Sequence, residues 1–302
     1  MAEIQLSQSI KKWNKENNLD QWNYWYNLNN YHGNRLRARE KMVLEYLDSL
    51  KLPKKSVILE LGYGAGVTSK KICEREFKLI GVDVSETLRK IAIKNCNEIK
   101  GKPKFEFMIG NAEKLDLPDN SVDCVIGLGF LQYLEKPLSC FKEIARVLKP
   151  GGHCIIAQRN MFGISSLDGP LKILRSVYYL ISNRKHELRW QDTPLWYAGF
   201  IYAKLASKHK LISQLIEHKK IGLVRKNAWS FSRLYKLHQI SGLTIVGYVG
   251  AGYLSKKNKL APGLFRNIDR FLQKASLKKT IPGIYKFGNS LVFISQVTKE
   301  RI

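Results

Sequence analysis

A run of glycines follows the first strongly apolar segment of this 302-residue sequence, in Glu60-Leu61-Gly62-Tyr63-Gly64-Ala65-Gly66. Glycines at such a place let the backbone turn tightly and approach a ligand. A helix beginning near Val67 would offer free N–H groups to an anionic end of that ligand. The loop therefore predicts a site for a nucleotide-like molecule, with a plain tight turn as the alternative. The dinucleotide fingerprint requires glycine where Val67 stands, which argues against a nicotinamide or flavin cofactor.

Two further polar positions follow later apolar segments. Asp83 ends the run LIGVD about 20 residues after Gly62, where a carboxylate can accept hydrogen bonds from both hydroxyls of a ribose. An ordinary helix N-cap is the alternative for Asp83, because Ser85 and Glu86 follow it. The next apolar segment ends near Asn111, whose side-chain oxygen can accept from an adenine amino group. Three segment ends thus offer contacts for three parts of one ligand.

These residues can meet only if the apolar segments are neighbouring strands of one sheet. The segments alternate with stretches of helical periodicity at Arg35–Leu50, Glu86–Ile99 and Leu138–Leu148. The predicted strands are Ser56–Leu61, Lys78–Val82, Phe105–Ile109, Val122–Leu128, His153–Gln158, Leu243–Val249 and Ser290–Gln296. This alternation predicts an α/β fold with a doubly wound, mostly parallel sheet of seven strands. Such a sheet brings the carboxyl ends of its parallel strands to one edge.

The motifs around these positions resemble those of the class I S-adenosylmethionine-dependent methyltransferases, in particular the type 11 group that includes the ubiquinone and menaquinone methyltransferases. The resemblance runs in order from Ser56 to Gln158, through VILELGYGAG, GVDVS, GNAEKLDLPDNSVDCVIGLGFLQYL and FKEIARVLKPGGHCII. LPDNSVD and ARVLKPGG are the more specific segments, because phosphate binding does not require them. The resemblance implies a Rossmann-like methyltransferase fold, methyltransferase activity and S-adenosyl-L-methionine as the cofactor.

The resemblance also implies which residues hold each part of the cofactor. Glu60 and the loop glycines Gly62, Gly64 and Gly66 would hold the methionine end, with Tyr63 packed beside it, and Asp83 would bind the ribose hydroxyls. The other implied contacts are Val84 against the adenine, Asn111 and Ala112 at its amino edge, and Gly127 or Leu128 after the fourth strand. The family commonly has aspartate where Asn111 stands. The amide loses the charge-assisted part of the bond, about 1 kcal/mol, so we expect binding to survive.

No catalytic residue can be singled out from the sequence. Methyl transfer from a sulfonium is an in-line displacement, in which orientation alone can supply roughly 7 kcal/mol or more. A general base helps only with some acceptors, and the candidates near the carboxyl edge of the sheet are Gln132, Tyr133, Arg159 and His186. His153 begins a strand at the opposite end, so we expect it to be a half-buried structural histidine.

Four regions are expected along the chain. A helical cap, 1–54, contains an aromatic-rich stretch near Tyr31, His32 and Arg35 that either folds over the cofactor or packs as an ordinary helix. The cofactor-binding core follows at 55–160. A helical insertion after the fifth strand, 161–229, would cover the substrate, and 230–302 would complete the sheet and add a basic amphipathic helix.

The whole chain has a net charge of +26, and most of this excess of basic residues lies in its second half. Residues 161–302 hold 25 basic and 6 acidic side chains, whereas residues 1–160 hold 26 and 19. In the segment 264–278, helical winding places Arg266, Arg270, Lys274 and Lys278 opposite the apolar side chains. Such a helix can lie in a membrane interface, where each cation near an anionic leaflet contributes roughly 1 kcal/mol. A helix packed on the domain with a solvated cationic face is the alternative.

We therefore expect a methyltransferase for a small-molecule or lipid-like acceptor, cytoplasmic and in peripheral contact with an anionic membrane. An RNA methyltransferase is the alternative, because the basic half suits nucleic acid. The fourth strand, however, continues GLGFLQYL instead of the Asn-Pro-Pro-Tyr type of motif expected for base amino methylation. A non-catalytic partner subunit and an aminopropyl transferase of the same fold are further alternatives. The five cysteines are scattered along the chain, which predicts reduced thiols. They form no cluster with histidines that would indicate a metal site, so we expect none.

Overall fold

The protein is seen in a computed structural model that describes residues 24, 26–28, 31–99, 104–160, 229–251, 271 and 290–298. Its helices are α1 (Tyr31–Ser49), α2 (Val67–Cys73), α3 (Glu86–Asn97), α4 (Pro137–Val147) and α5 (Phe231–Ile240). Its strands are β1 (Val57–Leu61), β2 (Lys78–Asp83), β3 (Phe105–Ile109), β4 (Val122–Leu128), β5 (Leu148–Arg159), β6 (Leu243–Ala251) and β7 (Ser290–Val297). These elements belong to one compact unit, formed by Met1–Gly163 and Arg225–Ile302.

The described strands form one seven-stranded sheet in the order β3-β2-β1-β4-β5-β7-β6. Pairing is parallel from β3 to β5, and β7 runs antiparallel to both β5 and β6. The predicted doubly wound, mostly parallel sheet is confirmed. The strand order reverses between β1 and β4, and open α/β sheets bind ligands at the carboxyl ends of the strands on either side of such a reversal.

Side chains alternate between the two faces of the sheet, and both faces are covered by helices. Leu59 and Val125 face the layer that contains α4 and α5, whereas the adjacent Ile58 and Cys124 face the layer that contains α1, α2 and α3. This two-sided burial explains why β1 and β4 are mostly apolar, with Glu60 and Asp123 as their only charged residues. The two layers fix the strand ends, and with them the loops that follow.

The structure departs from the sequence expectation at the start of β5. The strand was expected to begin at His153, but it begins at Leu148, which pairs with Val122 before a shift in register to the pair of His153 and Cys124. Gly151, with a φ of 77°, lies at this irregularity, so the backbone can bend without leaving the sheet. His153 is half-buried on the strand, as expected, and burial lowers its pKa.

Several expectations fall on residues outside the described ranges. They concern the insertion up to residue 228, with His186, and most of the basic segment 264–278. The four predicted regions stay predictions. All five cysteines lie within the described ranges, where they are buried and free. Within the same ranges, none of the helices has the length and apolar character that crossing a bilayer demands.

A buried histidine on α5 makes stability depend on acid. His238 stacks on Phe293, its Nδ1 lies 2.7 Å from the Leu234 carbonyl, and its Nε2 has no partner among the described residues. Burial lowers its pKa from 6.5 to about 4. Between pH 6.5 and pH 4, His238 is therefore protonated in the unfolded chain but not in the folded chain. Protonation of the unfolded chain lowers the free energy of unfolding, so the protein keeps its full stability above pH 6.5 and loses stability as the pH falls toward 4.

Between pH 6.5 and pH 4 we expect the free energy of unfolding to fall by about 3 kcal/mol. This value follows from the difference between the two pKa values of His238, at 1.36 kcal/mol for each pKa unit. Urea denaturation at pH 7.5 and pH 4.5 would measure it. The His238→Gln variant keeps a donor for the Leu234 carbonyl but does not titrate, so its loss should be smaller by that amount. Equal losses in both proteins would contradict this role for His238.

Candidate functional site

A cavity of about 520 Å³ opens at the carboxyl ends of the central strands. Its walls come from the glycine loop after β1, the residues that follow β2, β3 and β4, and side chains of α1. This volume lies within the range of roughly 300 to 1,000 Å³ that small-molecule and cofactor pockets occupy. The cavity therefore stands where the reversal of strand order predicts a ligand site.

Glycine is required in the loop after β1 for two separate reasons. Gly62, Gly64 and Gly66 have φ angles of 71°, 55° and 75°, which side-chain-bearing residues adopt only with strain. A Cβ atom on Gly62 would lie 2.6 Å from the Cβ of Phe130, and one on Gly66 would lie 2.8 Å from the Cα of Ala92. The loop is therefore packed on its outer side while its backbone faces the cavity.

The carboxylate of Asp83 braces this loop. Its Oδ2 accepts the Gly64 N–H at 3.0 Å, and its Oδ1 accepts the Ser85 N–H at 3.1 Å. The N-cap of α3 is Ser85, whose side chain accepts the Leu88 N–H at 3.2 Å. The reading of Asp83 as an ordinary N-cap is therefore wrong. Burial raises the pKa of Asp83, while the backbone N–H groups lower it, and the carboxylate lines the cavity.

Beneath the loop lies a buried acidic pair. Glu60 is 2% exposed and accepts a hydrogen bond from the Ser69 hydroxyl. Burial is the main reason that the pKa of Glu60 is raised to about 8; the Ser69 hydrogen bond opposes this shift, and the negative charges of Glu40 and Asp83 add to it. Glu40 itself pairs with Lys71, at 2.6 Å. Glu60 is thus a carboxyl group in the cavity wall that forms no ion pair with a described residue.

The residues after β3 form a turn at the other end of the cavity. Asn111 Oδ1 accepts the Glu113 N–H at 2.9 Å, so this oxygen is already engaged in the turn. Ala112 is buried, and both residues line the cavity. The Asn111 oxygen keeps one lone pair for an adenine amino group, while its amide N–H groups offer donors that an aspartate would lack.

Most of the predicted site residues gather around this single cavity. Those that line it are Glu60, Gly62, Tyr63, Gly64, Asp83, Val84, Asn111, Ala112 and Leu128. Gly66 and Gly127 lie behind the lining, where they make room for Ala92 and Phe130. Their assignment to the cofactor stays a prediction for every one of these residues.

Tyr63 has a packing role that its place in the loop did not suggest. Its ring lies 4.6 Å from the ring of Phe107 and covers Gly81, where a Cβ atom would be 2.8 Å from Tyr63 Cδ1. Burial raises the pKa of its hydroxyl, which has no hydrogen-bond partner among the described residues. Of the proposed bases, Tyr133 lines the cavity, whereas Gln132 and Arg159 do not.

Tyr26 and Arg39 are among the residues of the cavity wall that the sequence analysis did not name. For the stretch before β1 the sequence analysis named Tyr31, His32 and Arg35, and of these Arg35 is not among the lining residues that the structure describes. A signal was present in the sequence, because Arg39 and Glu40 fall three and four positions after the core residue Leu36 and share its helix face. Charged residues on a buried face mark a polar partner.

The Arg39 side chain is only 8% exposed, and its Nε atom has no hydrogen-bond partner in the part of the chain that the structure describes. Its guanidinium packs on Gly129, where a Cβ atom would lie 2.5 Å from Nη1. Tyr26 is close by, since Arg39 and Thr68 both influence its hydroxyl, whose pKa burial raises to about 12. Arg37 anchors this segment by donating to the Tyr26 and Leu28 carbonyls.

Residues 59–156 match the methyltransferase-domain family. A malonyl-[acyl-carrier protein] O-methyltransferase of Marinomonas is 27% identical over 148 residues, which are 49% of this chain and 52% of that protein. A phosphatidylethanolamine N-methyltransferase of Cereibacter sphaeroides is 25% identical over 154 residues, 51% of this chain and 69% of that protein. The chain thus spans about half the length of the first relative and about two thirds of the second.

Two solved structures share the fold. The [4+2]-cyclase SpnF has a TM-score of 0.51 and 14% identity, with 86% of this chain and 81% of that chain covered. A TehB-like S-adenosylmethionine-dependent methyltransferase of Corynebacterium glutamicum has a TM-score of 0.50 and 12% identity, with 94% and 97% covered. A cyclase on the same scaffold illustrates that the residues of the site, and not the fold, decide the reaction.

Proposed function

We propose, from the membership of this chain in the class I S-adenosylmethionine-dependent methyltransferases, that it transfers a methyl group to a small-molecule or lipid-like acceptor. The observation that carries the proposal is the arrangement of Asp83. This carboxylate lies in the cavity wall and is fixed by the backbone of the same glycine loop that borders the cavity. A ribose recognised there would be tied directly to the loop that faces the rest of the cofactor.

The described residues fit S-adenosylmethionine. Asp83 would accept the ribose hydroxyls, Asn111 and Ala112 would meet the adenine, and Glu60 would face the cationic methionine end. Gly62 and Gly64 leave room for the cofactor because neither has a side chain that could enter the cavity. When bound, the cofactor supplies a methyl group on a positively charged sulfur; an aligned nucleophile would take the methyl group, and the sulfur would leave as a neutral thioether. The contribution of the chain is then to orient the two partners and to exclude water.

Glu60 gives this proposal a test that does not depend on the acceptor. Its pKa of about 8 means that the free protein holds a proton there at pH 7. A cation bound nearby favours the carboxylate and lowers that pKa, so binding releases the proton. At pH 7 we therefore expect a net release of protons when S-adenosylmethionine binds. Calorimetric titration in two buffers of different ionisation enthalpy would count it.

The Glu60→Gln variant, which keeps an acceptor for Ser69, should release none. The cofactor ammonium holds its own proton at pH 7, so it does not mask the effect. Equal proton release by the variant and the natural protein would place the titrating group elsewhere.

A lipid-like acceptor is favoured by one observation on the basic segment. Phe271, on the apolar side of the predicted amphipathic helix, is helical and 61% exposed. An exposed aromatic side chain flanked by basic residues suits the interface of an anionic membrane better than a packed helix. One relative reported above carries a phospholipid acceptor in its name, which supports the same class.

Co-sedimentation with vesicles of phosphatidylcholine and phosphatidylglycerol would test this acceptor class. We expect Phe271→Ser to lower the bound fraction several-fold. Ile240→Ser, which changes a 53% exposed apolar residue on α5, should not. Methyl transfer from labelled S-adenosylmethionine to phosphatidylethanolamine in the same vesicles would identify a lipid acceptor. Absence of both binding and transfer, together with salt-sensitive retention on RNA, would favour the RNA alternative.

A further inference from the structure

Two neighbouring charged residues of α1 lie on its buried face, and only one of them has a partner within the described residues. Glu40 accepts hydrogen bonds from Lys71 at 2.6 Å and from Thr68 at 3.3 Å. Arg39 is 8% exposed, makes no ion pair with any described residue and leaves Nε unbonded. Burying an unpaired charge costs free energy, and the guanidinium cannot lower this cost by losing its proton, because arginine stays charged at all physiological pH values.

The surroundings of Arg39 direct its charge toward the cavity. Arg39 is part of the cavity wall, and its guanidinium lies over Gly129, just after β4. Any side chain at position 129 would collide with it, since a Cβ atom there would come within 2.5 Å of Nη1 and 3.0 Å of Cζ and Nη2. Gly129 thus leaves room for the planar guanidinium of Arg39 beside the end of β4.

We propose that Arg39 is the oxyanion-binding residue of this cavity and takes a carboxylate or phosphate oxygen of a bound ligand. The planar guanidinium suits two parallel hydrogen bonds to such a group. This inference rests on the proposed function, under which two ligands can bring the anion. One is the methionine carboxylate of the cofactor, and the other is an acidic group of the acceptor, such as the phosphate of a phospholipid head group.

Binding measurements with two forms of the cofactor separate these sources. S-adenosylmethionine and decarboxylated S-adenosylmethionine share the nucleoside and the sulfonium, and only the first has a carboxylate. If the cofactor brings the anion, Arg39→Gln should weaken binding of the first about 30-fold and leave binding of the second unchanged. Arg39→Lys should restore part of the loss, because it keeps the charge without the planar fork.

If the acceptor brings the anion, both forms of the cofactor should bind the variants and the natural protein alike. Inorganic phosphate titrated into the protein loaded with S-adenosylhomocysteine should then bind the natural protein and not Arg39→Gln. Arg75→Gln is the matched control, since it removes an arginine that pairs with Asp48 away from the cavity. It should match the natural protein in every titration.

A measurement on the natural protein covers the case in which the Arg39 variants do not fold. The Nε–Hε resonance of Arg39 should shift when S-adenosylmethionine replaces its decarboxylated form, or when phosphate is added. If the Arg39 variants keep the natural affinity for S-adenosylmethionine and also for phosphate, or if the resonance shifts with neither anion, the proposal is overturned. Failure of the natural protein to bind either form of the cofactor would instead overturn the proposed function.

Discussion

Asp83→Asn is expected to weaken S-adenosylmethionine binding about 100-fold. The carboxylate would accept the ribose hydroxyls through charge-assisted bonds, each worth about 1.5 to 3 kcal/mol. It also accepts the Gly64 and Ser85 N–H groups at 3.0 and 3.1 Å. The amide of asparagine must turn one NH₂ group toward a donor, so the variant loses the ribose contact and loosens the loop together. Isothermal titration calorimetry at pH 7 would measure the change.

A second aspartate near the site provides the control for this experiment. Asp116 is exposed and lies outside the cavity wall, so Asp116→Asn removes the same charge without touching the loop. Its affinity for the cofactor should match that of the natural protein within twofold. If Asp83→Asn binds as tightly as Asp116→Asn while remaining folded, Asp83 is a brace of the loop and does not hold the ribose.

Gly66→Ala is expected to lower the free energy of unfolding by about 2 to 5 kcal/mol. The left-handed backbone conformation at φ 75° costs an alanine about 1 to 2 kcal/mol. The added methyl group would also press on α3, 2.8 Å from Ala92 Cα and 2.9 Å from its Cβ, and overpacking of this kind costs about 1 to 3 kcal/mol. Chemical denaturation of the purified variant would give the sum.

Another glycine of the chain separates the two costs. Gly242, after α5, has a φ of 76°, and a Cβ atom there would meet nothing within 4 Å. Gly242→Ala should therefore show the conformational cost alone, about 1 to 2 kcal/mol. A loss at Gly66 no larger than the loss at Gly242 would mean that α2 and α3 move apart easily. The close packing would then not be what fixes the loop.

The sequence was sufficient for the sheet because its signals are local and repeated. The bounds of β3 and β4 agree with the expectation residue for residue, because each is a short, mostly apolar segment bounded by turn-forming residues. The predicted start of β5 was wrong because a proline and two glycines interrupt the apolar pattern, although the backbone pairs with β4 on both sides of a shift in register. Pairing with a neighbouring strand overrides local composition there.

The sequence predicts those cavity residues whose type and position at a strand end indicate their role. It does not predict residues whose role depends on a contact with a residue far away in the sequence. The glycines and Asp83 follow strand ends, so topology alone brings them together. Arg39 reads as one more basic residue of a helix until its contact with Gly129, ninety positions later, is known. The role of Ser85 as the cap of α3 was equally hidden, because both Asp83 and Ser85 are good capping residues.

The place of β7 in the sheet has a consequence for how the protein is synthesised. β7 lies between β5 and β6, yet the ribosome makes it only after the 130 residues from 160 to 289. The hydrogen-bonding edge of β5 is therefore open during this interval, although β1 to β4, whose carboxyl ends border the cavity, have already been made. An open strand edge invites pairing with other chains. The nascent protein thus passes through a period in which its ligand site can form before its sheet is protected, and ligand present during translation would favour correct folding over aggregation.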